Sequence, residues 1–162
     1  KSVNLDNSLL NCRINGLNNY KPDLFIIDLD LKLKRNLLLN KLIKKRKTYL
    51  ITLNNNLKKK QFLKKRGFKI ITIKSLKNKN DFTSLFKNIY KMGYSRLLVE
   101  TGLTFLNSLL KNKIIHNLYI FKSNKRLGKD GKNNSSLNYI KNLKRKLINI
   151  NLNDDKLYKV DF

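Results

Sequence analysis

The sequence contains few of the residues that build metal centres and disulfides. Its 162 residues include one cysteine, Cys12, and one histidine, His116. A lone cysteine cannot form an internal disulfide, and it is typical of a reducing compartment. One cysteine and one histidine cannot complete a standard zinc site. The composition therefore predicts a protein without a metal centre, and we expect it in the cytoplasm.

Long apolar runs and the short motifs of several enzyme classes are also missing. No stretch approaches the roughly 18–20 apolar residues that a membrane helix needs. The sequence contains no GxSxG nucleophile elbow, no GxxxxGK[ST] phosphate loop and no GxGxxG dinucleotide motif. Gly128 and Gly131 fit either a phosphate cradle or a plain turn. The chain begins with Lys1 and not with methionine, so we keep a preceding targeting segment as an alternative.

Acidic residues are scarce beside basic ones. Asp and Glu total 10 against 37 Lys and Arg, which gives a net charge of +27. Such a charge is typical of nucleic-acid-binding proteins. A compositional drift toward Lys, Asn, Ile and Leu also explains it, since alanine and tryptophan are absent and Pro22 is the only proline. Lysines occur along the whole chain and not in one patch, so we favour drift and keep a basic nucleic-acid-binding module as an alternative function.

Short apolar runs alternate with helical patterns through the middle of the chain. Residues 22–28, 48–52, 69–73 and 96–99 are predicted strands, the first around the apolar run 24–27. Helices are predicted over 57–66, after an Asn cap, and from Asp81 to Gly93, with Asp81 as the N-cap. This alternation predicts one α/β domain with a largely parallel sheet. Two later strands are predicted at 114–123 and 156–162, the last as an antiparallel edge.

One stretch combines a carboxylate with the start of a helix. Residues 97–99 are uninterruptedly apolar, which predicts a strand covered on both faces. Glu100 follows, Gly102 allows a turn, and a helix begins at Leu103. Ligands of open α/β sheets bind at such strand ends, and free N–H groups of a helix start suit a phosphate. Glu100 is either a ligand-binding carboxylate or one that a backbone partner satisfies.

Four segments resemble a known family by their order and separation. They are residues 6–13 (DNSLLNCR), 22–28 (PDLFIID), 97–102 (LLVETG) and 118–131, which holds LYIF, LG and a later Gly. Together they resemble the reductase domain of the bifunctional riboflavin-biosynthesis deaminase/reductase. The likeness extends from Ser2 to about Gly131.

The resemblance implies a fold, a reaction and partners. The fold is a three-layer, dihydrofolate-reductase-like α/β structure, with a mixed, mostly parallel sheet and helices on both faces. The family uses NADPH to reduce the ribosyl group of 5-amino-6-(5-phosphoribosylamino)uracil to the ribityl product. Residues 1–162 would then be a single reductase domain that lacks its first strand and an N-terminal deaminase domain. The family also implies a phosphorylated pyrimidine substrate and a homo-oligomer.

The resemblance also implies roles for individual residues. Arg13 would pair with the substrate phosphate, and Glu100 would bind substrate and is the candidate catalytic residue. The positions that match substrate contacts are Asp6, Leu10, Arg13 and Glu100. The positions that match NADPH contacts are Ser2, Thr52, Gly102, Leu103, Thr104, Phe105 and Leu106. The last five belong to the segment from Gly102 to Ser108, which matches the one that lines the NADPH phosphates in the family.

The sequence departs from the family pattern at several positions. Thr101 replaces the first of two glycines, and Asn7 and Ser8 replace an Asp-Pro pair. His116 replaces an acidic residue, and Asn124 replaces a proline. These departures support a second alternative, a non-catalytic reductase-like domain that supports a partner deaminase.

Overall fold

The computed structural model describes residues 2–7, 9–10, 21–124, 140 and 142–162. The chain divides into two compact units, Lys1–Leu76 and Lys77–Phe162. No helix within the described ranges is long and apolar enough to cross a membrane.

The first unit contains a parallel sheet with strand order β1-β2-β3. Its elements in chain order are α1 (Ser2–Asp6), β1 (Leu24–Ile27), a short 3-10 helix (Leu38–Leu42), β2 (Thr48–Thr52), α2 (Leu57–Lys65) and β3 (Lys69–Thr72). Leu24 lies opposite Thr48, and Tyr49 lies opposite Lys69. All five residues of β2 are buried, because β2 is the central strand. The strands predicted at 22–28, 48–52 and 69–73 are thereby confirmed, the first shortened to Leu24–Ile27 and the third to Lys69–Thr72.

The core of the first unit forms around β2. Leu50 is completely buried and belongs to a cluster of apolar residues: Ile26, Leu31, Leu37, Leu39, Ile43, Leu50, Leu63 and Phe68. Helix α2 contributes its buried residue Leu63 to this cluster. The predicted Asn cap is confirmed, since the Asn56 side chain accepts a hydrogen bond from the Lys59 N–H. Gly67 follows the helix with a φ of 99°, which favours glycine.

The second unit contains an antiparallel sheet with strand order β4-β6-β5. Its elements are α3 (Lys79–Lys91), α4 (Leu103–Lys111), β4 (Asn117–Lys122), β5 (Lys146–Ile148) and β6 (Lys156–Asp161). Helix α3 buries Phe82, Leu85 and Ile89, as their spacing predicts. Its N-cap is Asn78 and not Asp81. Asp81 is the N3 residue of a capping box, in which its carboxylate accepts from the Asn78 N–H.

The prediction of one mixed, mostly parallel sheet needs correction. The described strands form two three-stranded sheets, one parallel and one antiparallel. Connection length is the physical reason: α2 supplies the crossover that lets β2 and β3 run parallel, whereas β5 and β6 are joined by residues 149–155 and run antiparallel. The likeness to the dihydrofolate reductase fold stays a prediction.

The strand predicted at 96–99 is also wrong. These residues form no strand in the described structure, and Leu98 is 89% exposed, with Leu97 and Val99 exposed as well. An apolar run becomes a strand only when a neighbouring backbone pairs with it. None of the described strands pairs with this run.

Candidate active site

Helix α4 begins in a way that suits an anionic ligand. Its N-cap is Gly102, which has no side chain to accept from the first-turn N–H groups, and the first turn holds no acidic residue. Those N–H groups carry the positive end of the helix dipole. Gly102 and Thr104 are exposed, while Leu103, Phe105 and Leu106 are half-buried. The start of α4 is therefore open to a phosphate.

Packing inside the second unit fixes the direction of α4. The Phe105 ring lies 5.9 Å from the Phe82 ring of α3, centroid to centroid, and Leu109 is buried. Edge-tilted ring pairs of this kind are favourable. Because α4 is anchored through its apolar face, its N-terminal turn has a defined position in this unit.

The residues ahead of α4 differ from the prediction in two ways. Glu100 is exposed and does not end a buried strand, so burial imposes no cost on its carboxylate. Glu100 also makes no ion pair with any described residue. Gly102 has φ −76° and ψ 166°, an extended conformation that any residue adopts. Thr101 likewise has no positive φ, so the backbone here accommodates threonine where the family has glycine.

The predicted substrate residues of the first unit lie at and after α1. Asp6 is the last residue of α1 and is exposed. Leu10 is half-buried and has a φ of 51°, in the left-handed region that non-glycine residues rarely adopt. Ser2 is the first residue of α1, and Arg13 lies outside the described residues.

Thr52 is fully buried at the end of β2, and partners within the chain engage its hydroxyl. The hydroxyl donates to the Leu29 carbonyl at 2.8 Å and accepts from the Asn54 N–H at 3.0 Å. A hydroxyl has one donor, so the Thr52 donor is already used. The predicted cofactor contact of Thr52 stays a prediction, and it would have to be made with the remaining lone pair or the backbone.

Sequence reasoning missed Arg46, which supports the residues that follow α1. Arg46 is buried, with 7% of its surface exposed. Its Nη1 donates to the Leu10 carbonyl, and its Nη2 donates to the Leu9 carbonyl at 2.8 Å. Burial lowers the pKa of Arg46, and the charge of Asp23 partly opposes that shift. In the sequence Arg46 belongs to the basic run KKRK at 44–47, which is typical of a solvated surface. No signal in that run distinguishes it from its neighbours.

The candidate residues are divided between the two units. The first unit holds Asp6, Leu10 and Thr52, and the second holds Glu100 and the start of α4. No group of three or more His, Cys, Asp and Glu side chains suited to a metal ion occurs within the described part of the chain.

The comparison with known families accounts for nearly the whole chain. The family model for the RibD C-terminal domain matches residues 1–159. No curated protein matches the chain. The matched residues include every candidate site residue, from Ser2 to Leu106. The chain therefore belongs to the RibD C-terminal domain family, the reductase domains of riboflavin biosynthesis.

Proposed function

We propose that the chain is an NADPH-dependent reductase acting on 5-amino-6-(5-phosphoribosylamino)uracil, whose ribosyl group it converts to the ribityl product. The family match supports the reaction class. The observation that carries the proposal is the uncapped start of α4, with the exposed Glu100 two residues before its N-cap. That arrangement offers N–H donors to a phosphate and a carboxylate to a hydroxyl-rich sugar.

The cofactor residues of the proposal are those that the family resemblance assigns. The start of α4 would bind a cofactor phosphate, with Gly102 and Thr104 accessible to it. Ser2 and Thr52 are the other two positions that the resemblance assigns to the cofactor. When bound, NADPH supplies the hydride for reduction of the sugar.

The remaining residues would bind and orient the substrate. Arg13 would pair with its phosphate, and Asp6 and Leu10 would hold it from the same segment. Glu100 would accept hydrogen bonds from sugar hydroxyls, and a proton transfer at its carboxylate belongs to the same proposal. Holding the sugar carbon against the nicotinamide and excluding water are the protein's main tasks. A covalently linked deaminase domain and a homo-oligomer complete the proposal.

The decisive experiment follows NADPH absorbance in the full-length protein, with and without the pyrimidine substrate. We expect substrate-dependent loss of NADPH. NADPH binding without turnover would favour a non-catalytic domain. Tight, salt-sensitive RNA binding without NADPH affinity would favour the nucleic-acid-binding alternative that the net charge of +27 suggests.

Two variants test the residue roles. Glu100→Gln should lower kcat/KM at least about tenfold, because a charge-assisted hydrogen bond is worth about 1.5–3 kcal/mol. The fold should be unaffected, since Glu100 is exposed. Asp155→Asn, at another exposed carboxylate of the second unit, is the matched control and should leave kcat/KM unchanged.

Arg13→Ala should mainly raise KM for the phosphorylated substrate. The same substitution should change KM little for a dephosphorylated analogue, because the lost partner is the phosphate. Equal effects on both substrates would contradict the phosphate pairing. An unchanged kcat/KM in Glu100→Gln would contradict the role of that carboxylate.

A further inference from the structure

Side chains from three positions fasten the beginning of the chain to the rest of the first unit. We call residues 4–7 and 9–10 the N-terminal segment. Asn4 Nδ2 donates to the Lys32 carbonyl at 2.8 Å, and Asn4 Oδ1 accepts from the Lys34 N–H at 3.0 Å. Asn7 Oδ1 accepts from the Leu38 N–H at 2.8 Å. These bonds join groups 28 to 31 positions apart in the sequence.

Arg46 completes the attachment at the far end of the N-terminal segment. Its Nη1 donates to the Leu10 carbonyl, and its Nη2 donates to the Leu9 carbonyl. One rigid, planar guanidinium thus holds two consecutive carbonyls, which fixes the orientation of the peptide between them. A lysine ammonium carries no such fork.

The segment that these bonds hold has an unfavourable backbone. Asn7 and Leu10 have φ values of 45° and 51°, both left-handed. Asparagine tolerates this region, but leucine rarely adopts it. Such a conformation persists only where the surroundings enforce it, and conformations of this kind cluster at active sites, ligand clamps and switch regions. Leu10 is also one of the positions that match substrate contacts in the family.

The burial of Arg46 is costly for a purely structural residue. Removing a guanidinium from water carries a large desolvation penalty, and an apolar side chain of similar volume often stabilises as much. The Arg46 Nε has no hydrogen-bond partner among the described residues, so the penalty is only partly offset. The buried charge of Arg46 is accounted for if its role is to hold the Leu9 and Leu10 carbonyls in a fixed geometry.

We propose that Arg46 is a positioning residue for substrate binding: it fixes the left-handed backbone conformation of Leu10 and so preforms the substrate contacts of the N-terminal segment. This inference rests on the proposed function. Arg46 itself need not touch the substrate. Its loss would let the segment relax, so that substrate binding must order it again.

The test compares Arg46→Lys with Arg66→Lys in the full-length protein. Arg66 is the matched control, because its Nη2 donates to a single backbone carbonyl, that of Arg35, at 2.8 Å in the same unit. Arg46→Lys should raise KM for the phosphorylated pyrimidine about tenfold, while kcat and the Kd for NADPH change less than about twofold. Arg66→Lys should leave all three values unchanged.

A second variant loosens the same segment without touching Arg46, and it tests whether the fixed geometry of the segment matters for substrate binding. Asn7→Gly retains the left-handed φ and removes only the bond to the Leu38 N–H. It should raise KM severalfold, again without a change in the Kd for NADPH. The urea midpoint and far-UV circular dichroism of each variant report whether the fold is intact.

Each outcome decides between the two proposals. Wild-type turnover with an unchanged KM in Arg46→Lys overturns the positioning role alone. A parallel loss of substrate and NADPH affinity would show that Arg46 is merely structural, which also overturns it. A wild-type protein that does not oxidise NADPH in the presence of substrate overturns the proposed function and the inference with it.

Discussion

Two buried threonines of the central strand should respond to the same substitution with opposite signs. Thr48 and Thr52 are the first and last residues of β2, with exposures of 1% and 0%. The Thr52 hydroxyl donates to the Leu29 carbonyl and accepts from the Asn54 N–H. The Thr48 hydroxyl has no hydrogen-bond partner among the described residues. Replacement by valine retains the shape of each side chain and removes only the hydroxyl.

The hydrogen bonds give the magnitude of each effect. Thr52→Val loses two bonds, but the Leu29 carbonyl still accepts from the Leu53 N–H at 3.1 Å and from the Asn54 N–H at 3.2 Å. Neither partner is therefore left unpaired, and we expect a loss of about 1–2 kcal/mol in the free energy of unfolding. Thr48→Val removes a buried, unpaired hydroxyl, which should raise that free energy by about 1 kcal/mol.

Urea unfolding followed by far-UV circular dichroism measures both changes, since the protein has no tryptophan to report fluorescence. The two variants should differ by about 2–3 kcal/mol, which separates their midpoints by about 1 M urea at an m-value near 2 kcal/mol/M. The m-values should match the wild type. Equal shifts of the two midpoints in the same direction would refute the assignment of the hydrogen bonds.

Two further predictions concern local backbone geometry. Gly67→Ala should lower the free energy of unfolding by more than about 2 kcal/mol, because φ is 99° and a Cβ would lie 2.6 Å from Ile43 Cγ2. Gly93→Ala should lower it by only about 1–2 kcal/mol, because φ is similar at 96° but a Cβ there would meet nothing within 4 Å. Equal losses in thermal melting temperature would show that the Ile43 contact is unimportant. Asn78→Ala removes the N-cap that accepts from the Asp81 N–H and should cost about 1 kcal/mol, read as a fall of about 2–4 °C in Tm.

The parallel sheet of the first unit could be predicted from the sequence because its signals are local. The run LFII lies between Pro22 and Asp28, and TYLIT is β-branched and aromatic, so each specifies a strand without its neighbours. Helix α2 begins after an asparagine cap and ends before Gly67. The family resemblance, read from segments in order, is confirmed by the family match over residues 1–159.

The run at 97–99 could not be assigned from the sequence because its residues fit two environments. An apolar run is typical of a buried strand, but in the structure these residues form an exposed connection between α3 and α4. Only pairing with another strand distinguishes the two, and pairing depends on residues far away in the sequence. The predicted environment of Glu100 was wrong for the same reason: the sequence predicts the end of a buried strand, whereas Glu100 lies in an exposed connection.

The sequence by itself determined the three strands and α2 of the first unit, the start of α4 and the family. Only the tertiary structure decided that Arg46 is buried, that Thr52 is paired and that Thr48 is not. The physical reason is the length of chain between partners. Arg46 and the Leu10 carbonyl are 36 positions apart, and Thr52 and the Leu29 carbonyl are 23 apart. Local patterns hold no information about such pairs, since burial and hydrogen bonding at each position depend on what the fold brings next to it.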